Sequence, residues 1–260
     1  MLKRLLIMLV LGCLCLGSVI VSAEEKEAKI AVVEWTAQIK SRHKWYVVPF
    51  IKRLKNLGIL ADCLSANELF IEKKVYEYDA VVVIPWFLTI DEFDELKTYV
   101  EKGGIFIPIS TGAHVIDIDE NGKVNVPPDI YVVGKGGIFY ELTGGMRRGG
   151  TGNLVTSFEV LKSCPITEGL KVGEIIEANV NGTKIISDED VDVCCGNAVL
   201  GKSKKIRTKC SVIQIKRTGK GASIYITASL HKSKNEKVNI LSKNIFSRKT
   251  FKWVLGEDVR

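Results

Sequence analysis

Cysteines and aromatic residues are where this sequence first offers chemistry. Cys63, Cys164, Cys194, Cys195 and Cys210 lie in the body of the chain, and Cys13 and Cys15 lie in its apolar beginning. No spacing among them resembles a metal knuckle, and the adjacent Cys194 and Cys195 are strained as a mutual pair. No metal site and no cofactor are expected. An oxidising compartment would allow at most two bridges among the five, with partners that spacing leaves open. The second group is Trp35, Trp86 with Phe87, and His114. Large apolar faces with a polar handle suit stacking on a sugar or another flat ligand. Ordinary packing under a long loop uses the same residue types.

Three weaker patterns resolve to solvated turns. Asp117-Ile118-Asp119-Glu120-Asn121-Gly122 suggests a calcium loop, but its ligand spacing departs from the EF-hand pattern and no acidic residue closes it. A hairpin turn is the better reading. Gly134 to Gly137 and Gly144 to Gly152, with Arg147 and Arg148, lack a phosphate-loop pattern and read as loop rather than as an anion-binding turn. Lys202 to Lys209 is a basic block without interleaved aromatics, which fits a solvated loop or edge strand.

Lys3 and Arg4 precede an apolar run from Leu5 to Val21, closed by Val21-Ser22-Ala23 before Glu24-Glu25. This is the pattern of a secretory signal peptide over residues 1–23. A retained anchor is the alternative, because about 17 apolar residues sit at the lower edge of what spans a bilayer. Lipid attachment at Cys13 is a third. The expected address is the periplasm or the cell exterior, with no membrane contact after removal of the signal. Residues 24–260 then read as one domain, with no linker or repeat to divide them. The formal charge of +7 falls by two, to +5, without Lys3 and Arg4, and basic and acidic residues are interleaved along the chain. Nucleic-acid binding is not indicated. Partners of another kind, including a second copy of the chain, are left open.

The elements that must position these residues read as an open α/β sheet. Lys29 to Glu34 is a short apolar run and the first strand. Trp45 to Leu57 follows as an amphipathic helix ended by Gly58. Asp62 to Leu64 and Asp79 to Pro85 are the next strands, the latter strong enough to be covered on both faces. Thr89 caps a helix from Ile90 to Glu101, which ends at Gly103-Gly104, and Ile105 to Ile109 is the fourth strand. This order is that of a doubly wound, mostly parallel sheet with right-handed crossovers. Residues 110–152 are rich in Gly, Asp, Asn and Pro and form an irregular or β-rich insertion. Further strands are expected at Val155 to Val160, Lys184 to Ser187, Ser211 to Lys216 and Ser223 to Ala228, with a tight hairpin at Arg217 to Gly221. A helix from about Lys237 to Leu255 closes the chain.

Ala80 to Pro85, the helix ending in Lys102-Gly103-Gly104, Pro165-Ile166-Thr167-Glu168-Gly169-Leu170, and Gly219-Lys220-Gly221 before a strand together resemble the class I glutamine amidotransferase-like superfamily. Within it, the order is similar to trehalose-utilisation-type and related exported bacterial members, over most of residues 29–255. These motifs are structural, so they speak for fold more than for activity. The resemblance implies a nucleophilic cysteine in a sharp turn after the fourth strand and a histidine after a late strand. Here the turn reads Pro108-Ile109-Ser110-Thr111-Gly112, so Ser110 stands where the thiol would be. His231 follows Ala228-Ser229-Leu230, but position 233 is Ser where a carboxylate would stand, and Glu236 is the nearest acid.

Two functional readings follow. In the first, the chain is an exported, non-catalytic module that binds a small molecule, a carbohydrate or a protein partner, with Trp35, Trp86 and His114 as ligand contacts at the carboxyl ends of the strands. In the second, it is a hydrolase of a glycan-derived or amide substrate, with Ser110 as nucleophile, His231 as base and Glu236 orienting the imidazole. Pro108 and the missing carboxylate favour the first. A glutaminase is rejected, since thiolate chemistry needs a cysteine at that turn and none of the five lies there.

Overall fold

The computed structural model describes residues 27–34, 40–84, 87–109, 114–118, 124–125, 138–147, 153–182, 184–201 and 206–257. The leader expected over 1–23, with Cys13, lies outside them. Among the described residues, no helix is long and apolar enough to cross a membrane.

The amino-terminal half builds the parallel part of the sheet. β1 (Ile30–Glu34) is buried along almost its whole length, as expected for a strand covered on both faces. It is followed by α1 (Lys40–Asn56), and β2 (Asp62–Ser65) then pairs with β1 in parallel, Ala31 opposite Asp62. Beyond a π turn at Asn67–Ile71 and a 3-10 turn at Lys74–Glu77, β3 (Ala80–Val83) pairs in parallel on the other side of β1, Ile30 opposite Ala80. β4 (Phe87–Thr89) leads into α2 (Ile90–Glu101), and β5 (Ile105–Pro108) lies parallel to β3. The start of α2 is fixed as the sequence indicates. Thr89 Oγ1 accepts from the Glu92 amide at 3.3 Å, and the Glu92 carboxylate accepts from the Thr89 amide at 2.8 Å, a reciprocal capping box.

Strand alternation divides the core into two layers. Ile30, Val32, Ala80, Val82, Ile105 and Ile107 face a cluster that includes Val47, Phe50 and Leu54 of α1. Ala31, Val33, Val81, Val83 and Phe106 face the opposite cluster, with Leu69, Phe93, Leu96 and Val100. Successive side chains of a strand point to opposite faces, so continuous apolar runs are what a sheet with helices on both sides requires.

The second half is antiparallel. β6 (His114–Ile118) and β7 (Val124–Asn125) form a small separate sheet with β4. Asp117 lies opposite Asn125 in an antiparallel pair, the hairpin that the sequence favours over a calcium loop. After α3 (Ile138–Thr143) come β8 (Gly145–Arg147), β9 (Asn153–Val160), β10 (Ile175–Gly182), β11 (Ile185–Ser187), β12 (Asp192–Leu200), β13 (Ile206–Arg207), β14 (Ser211–Thr218) and β15 (Gly221–Ile226). Arg147, expected in a loop, is on β8 opposite Ile185. The long sheet runs β10-β9-β12-β14-β15-β5-β3-β1-β2. β15 is the junction, antiparallel to β14 and parallel to β5. The fold is therefore α/β, a parallel core extended by an antiparallel β-rich part that lies mostly after residue 145.

The chain closes with α4 (Glu236–Ile245) and α5 (Arg248–Val254). The single helix expected over Lys237 to Leu255 is broken at Ser247, whose hydroxyl accepts from the Thr250 amide at 3.2 Å and starts the second helix. Both halves still bury the apolar set expected of them: Leu241, Ile245, Phe246, Phe251 and Val254.

The Gly219-Lys220-Gly221 motif has a packing reason. The turn between β14 and β15 lies against the end of α2, where the Lys220 amide donates to the Glu101 carbonyl at 3.0 Å. A Cβ on Gly221 would stand 2.1 Å from the Val100 carbonyl oxygen and 2.3 Å from that of Gly104. Gly219 is left-handed, with φ of 61°, a conformation that glycine adopts without steric cost.

Candidate functional site

In open α/β sheets, ligands sit beyond the carboxyl ends of the strands. Here β1, β3 and β5 are parallel and adjacent, so their carboxyl ends lie along one edge. Trp35, Trp86 and Ser110 follow those strands in sequence but lie outside the described residues. The backbone of His114 is described, and it stands opposite Phe87 in the β4–β6 pair, next in sequence to Trp86.

His231 is on a short 3-10 turn, Leu230–Lys232, just beyond the carboxyl end of β15. A parallel bridge pairs Ile226, the last residue of β15, with Ile109. The ends of β5 and β15 therefore lie side by side. The imidazole itself is not arranged as a base. Its ring meets Phe50 edge-on with centroids 5.3 Å apart, and both ring nitrogens are buried without a hydrogen-bond partner among the described residues. They face a void of about 20 Å³ whose lining includes Phe50, Arg53, Ile109, Leu230 and Ser242. That volume admits about one water.

Two polar side chains around the void bond elsewhere, although Arg53 Nε, like the imidazole nitrogens, is buried without a hydrogen-bond partner among the described residues. The Arg53 guanidinium donates to the Ser233 carbonyl at 3.0 Å and to the Asn239 side chain, which pins the histidine segment to α1 and α4. The Ser242 hydroxyl donates to the Val238 carbonyl at 2.7 Å. Burial, reinforced by the positive charges of Lys232 and Arg53, holds the His231 imidazole down to about 3. Desolvation disfavours its charged form, so the ring is neutral at physiological pH and weakly basic.

Glu236 does not reach this ring. It is exposed at the first residue of α4, where Asn235 caps the helix by accepting from the Lys237 amide at 2.9 Å. The acid–histidine contact that the sequence allowed is therefore absent, because Asn235 starts a helix that carries Glu236 out to solvent. No group of three or more His, Cys, Asp or Glu side chains suited to a metal occurs among the described residues.

The Pro165 to Leu170 motif is structural. Pro165–Thr167 forms a 3-10 turn, and the Asn244 side-chain amide of α4 donates to the Ile166 and Glu168 carbonyls at 3.1 and 2.9 Å. The cysteine just before this turn stands against β12, a juxtaposition no spacing rule announces.

No family model matches the chain, and no curated protein matches it. Solved structures do match its fold. A ThuA-like protein from Bacteroides uniformis is 17% identical, with a TM-score of 0.60, over 92% of this chain and 95% of the other. A β-galactosidase from Bacillus circulans matches 84% of this chain at 16% identity with a TM-score of 0.55, and one from Rahnella sp. R3 matches 84% at 16% identity with a TM-score of 0.52. The chain spans 30% and 31% of the length of those two enzymes. At such identities the likeness is one of fold: an α/β sheet like that of the ThuA-like protein, with its β-rich extension.

Proposed function

We propose that the chain is an exported amidotransferase-like domain without hydrolytic chemistry, which binds a small molecule at the carboxyl edge of its parallel strands. A carbohydrate is the ligand class best suited to it. One observation carries the non-catalytic reading: the His231 nitrogens are sealed, unpartnered and poorly basic, whereas a general base must reach the proton it abstracts and hold a pKa near the working pH. In sequence, Trp35 follows β1 and Trp86 comes three positions after the end of β3, an order that suits a stacking ligand at the strand ends. The match to one third of two β-galactosidases is in keeping with a carbohydrate setting.

The test is titration of the chain from Glu24 onward with neutral mono- and disaccharides, followed by tryptophan fluorescence. Saturable binding that weakens at least about fivefold in Trp35→Ala and Trp86→Ala is expected, since a stacked ring contributes on the order of 1 kcal/mol or more. Equal binding by wild type and both variants, or none by wild type up to about 10 mM, a free energy of only about 2.7 kcal/mol, refutes the site.

The hydrolase reading keeps one observation in its favour, the adjacency of Ile109 and the His231 void. A serine-directed phosphonate that labels Ser110 specifically would replace the binding reading with it.

A further inference from the structure

Cys164 and Cys194 are 30 positions apart in sequence, yet their sulfurs are 3.4 Å apart and share a hydrogen bond. Two different elements make this meeting. Cys164 is the extended residue before the Pro165–Thr167 turn, with φ of −161°. Its amide donates to Thr167 Oγ1 at 3.0 Å, and that hydroxyl donates to the Lys162 carbonyl at 2.7 Å. Cys194 is on β12, where its carbonyl accepts from the Leu161 amide at 2.9 Å. The backbone of both residues is thus held, and only the sulfurs need to move. A disulfide bond of about 2.05 Å requires the sulfurs to approach by about 1.3 Å from 3.4 Å.

The two thiols differ in the way a thiol–disulfide site needs. Cys164 is half-buried and Cys194 is fully buried. The hydrogen bond shared with Cys194, aided by Thr167 and the Ile166 backbone, holds the Cys164 thiol down to about 6 despite burial. The same contact, followed by desolvation, pushes Cys194 far up. Cys63 has no such partner; burial and the Glu34 carboxylate push it up to about 11.

We propose that Cys164 and Cys194 form a thiol–disulfide site, in which Cys164 attacks an external disulfide and Cys194 resolves the adduct into an internal bridge. In the first step the Cys164 thiolate attacks one sulfur of an oxidised disulfide RSSR. A bond between the Cys164 sulfur and one RS group forms, the S–S bond of RSSR breaks, and the departing RS⁻ takes up a proton. In the second, Cys194 loses its proton to solvent and attacks the Cys164 sulfur. The Cys164–Cys194 bond forms, the bond from Cys164 to R–S breaks, and the second thiolate leaves and is protonated. Two electrons pass from the protein to RSSR, and two RSH are produced. The bridge ties β12 to the turn on which Asn244 of α4 is anchored, so it staples the antiparallel part of the sheet to the closing helices.

This inference is independent of the ligand proposed above. Oxidised glutathione supplies RSSR in the test, with free thiols then blocked by N-ethylmaleimide and the protein digested for mass spectrometry. The wild type should yield a Cys164–Cys194 linked peptide that dithiothreitol removes. Cys194→Ser should stop at one glutathione on Cys164, Cys164→Ser should give no bridge, and Cys195→Ala should still form it. At about pH 7, Cys164 should also alkylate at least about tenfold faster than Cys63, because the thiolate is the nucleophile. A dominant bridge through Cys195, or no linked peptide from folded wild type after prolonged oxidation, overturns the assignment, and neither outcome depends on whether a variant folds.

Discussion

Replacing His231 by Phe tests the observation on which the function rests. The folded protein holds this imidazole at about 3, against about 6.5 in an unfolded chain. The folded pKa is depressed, so the unfolded state takes up the proton first as pH falls. The stability that a neutral His231 contributes is complete above about 6.5 and is lost progressively between about 6.5 and about 3. Each unit in that window is worth about 1.36 kcal/mol. Going from about pH 7.5 to about pH 4.5 therefore costs the wild type about 2.7 kcal/mol through this residue alone. Phe cannot titrate, and it keeps a ring in the edge-on contact with Phe50. Carboxylates that protonate over the same range are common to both proteins and cancel in the difference. Urea unfolding followed by tryptophan fluorescence at several pH values measures it. The wild-type and His231→Phe stability curves should diverge by about 2–3 kcal/mol across this range, the variant being the less acid-sensitive. Parallel curves, with a difference below about 0.5 kcal/mol, would mean that the imidazole is hydrated and free to protonate, and the case against a histidine base would fall with it.

Two further predictions concern the scaffold. Gly221→Ala drives a methyl group against the Val100 and Gly104 carbonyl oxygens, so β15 must shift away from the end of α2; a loss of about 1–3 kcal/mol or more is expected in urea unfolding, and a change within about 0.5 kcal/mol would show that the close approach is not real. Thr89→Ala removes one arm of the capping box of α2 and should cost about 1 kcal/mol, or roughly 2–4 °C of melting temperature for a chain of this size, measured by circular dichroism.

The apolar runs at Ile30, Ala80 and Ile105 were sufficient to read the parallel half of the sheet, because a strand covered on both faces has no polar positions to obscure it. The antiparallel half was legible only in part. β10 contains Asn179, Asn181 and Gly182, turn-forming residues by type, and its alternating burial becomes meaningful only once β9 is beside it. β12 is interrupted by register shifts around Cys195, which break the period-two pattern on which strand reading depends. At the candidate site, residue types identified His231 and Glu236, but not that a helix cap turns one outward while Phe50 and Arg53 enclose the other.

Local sequence thus determined the order of elements in the parallel half, the capping at Thr89 and the left-handed Gly219, since each depends on neighbours in the chain or on one residue's own conformational range. Only tertiary structure decided that both histidine nitrogens are enclosed and which cysteine meets which. Both depend on contacts between segments far apart in sequence, and desolvation and sulfur–sulfur distance are properties of the packed interior rather than of any stretch of chain.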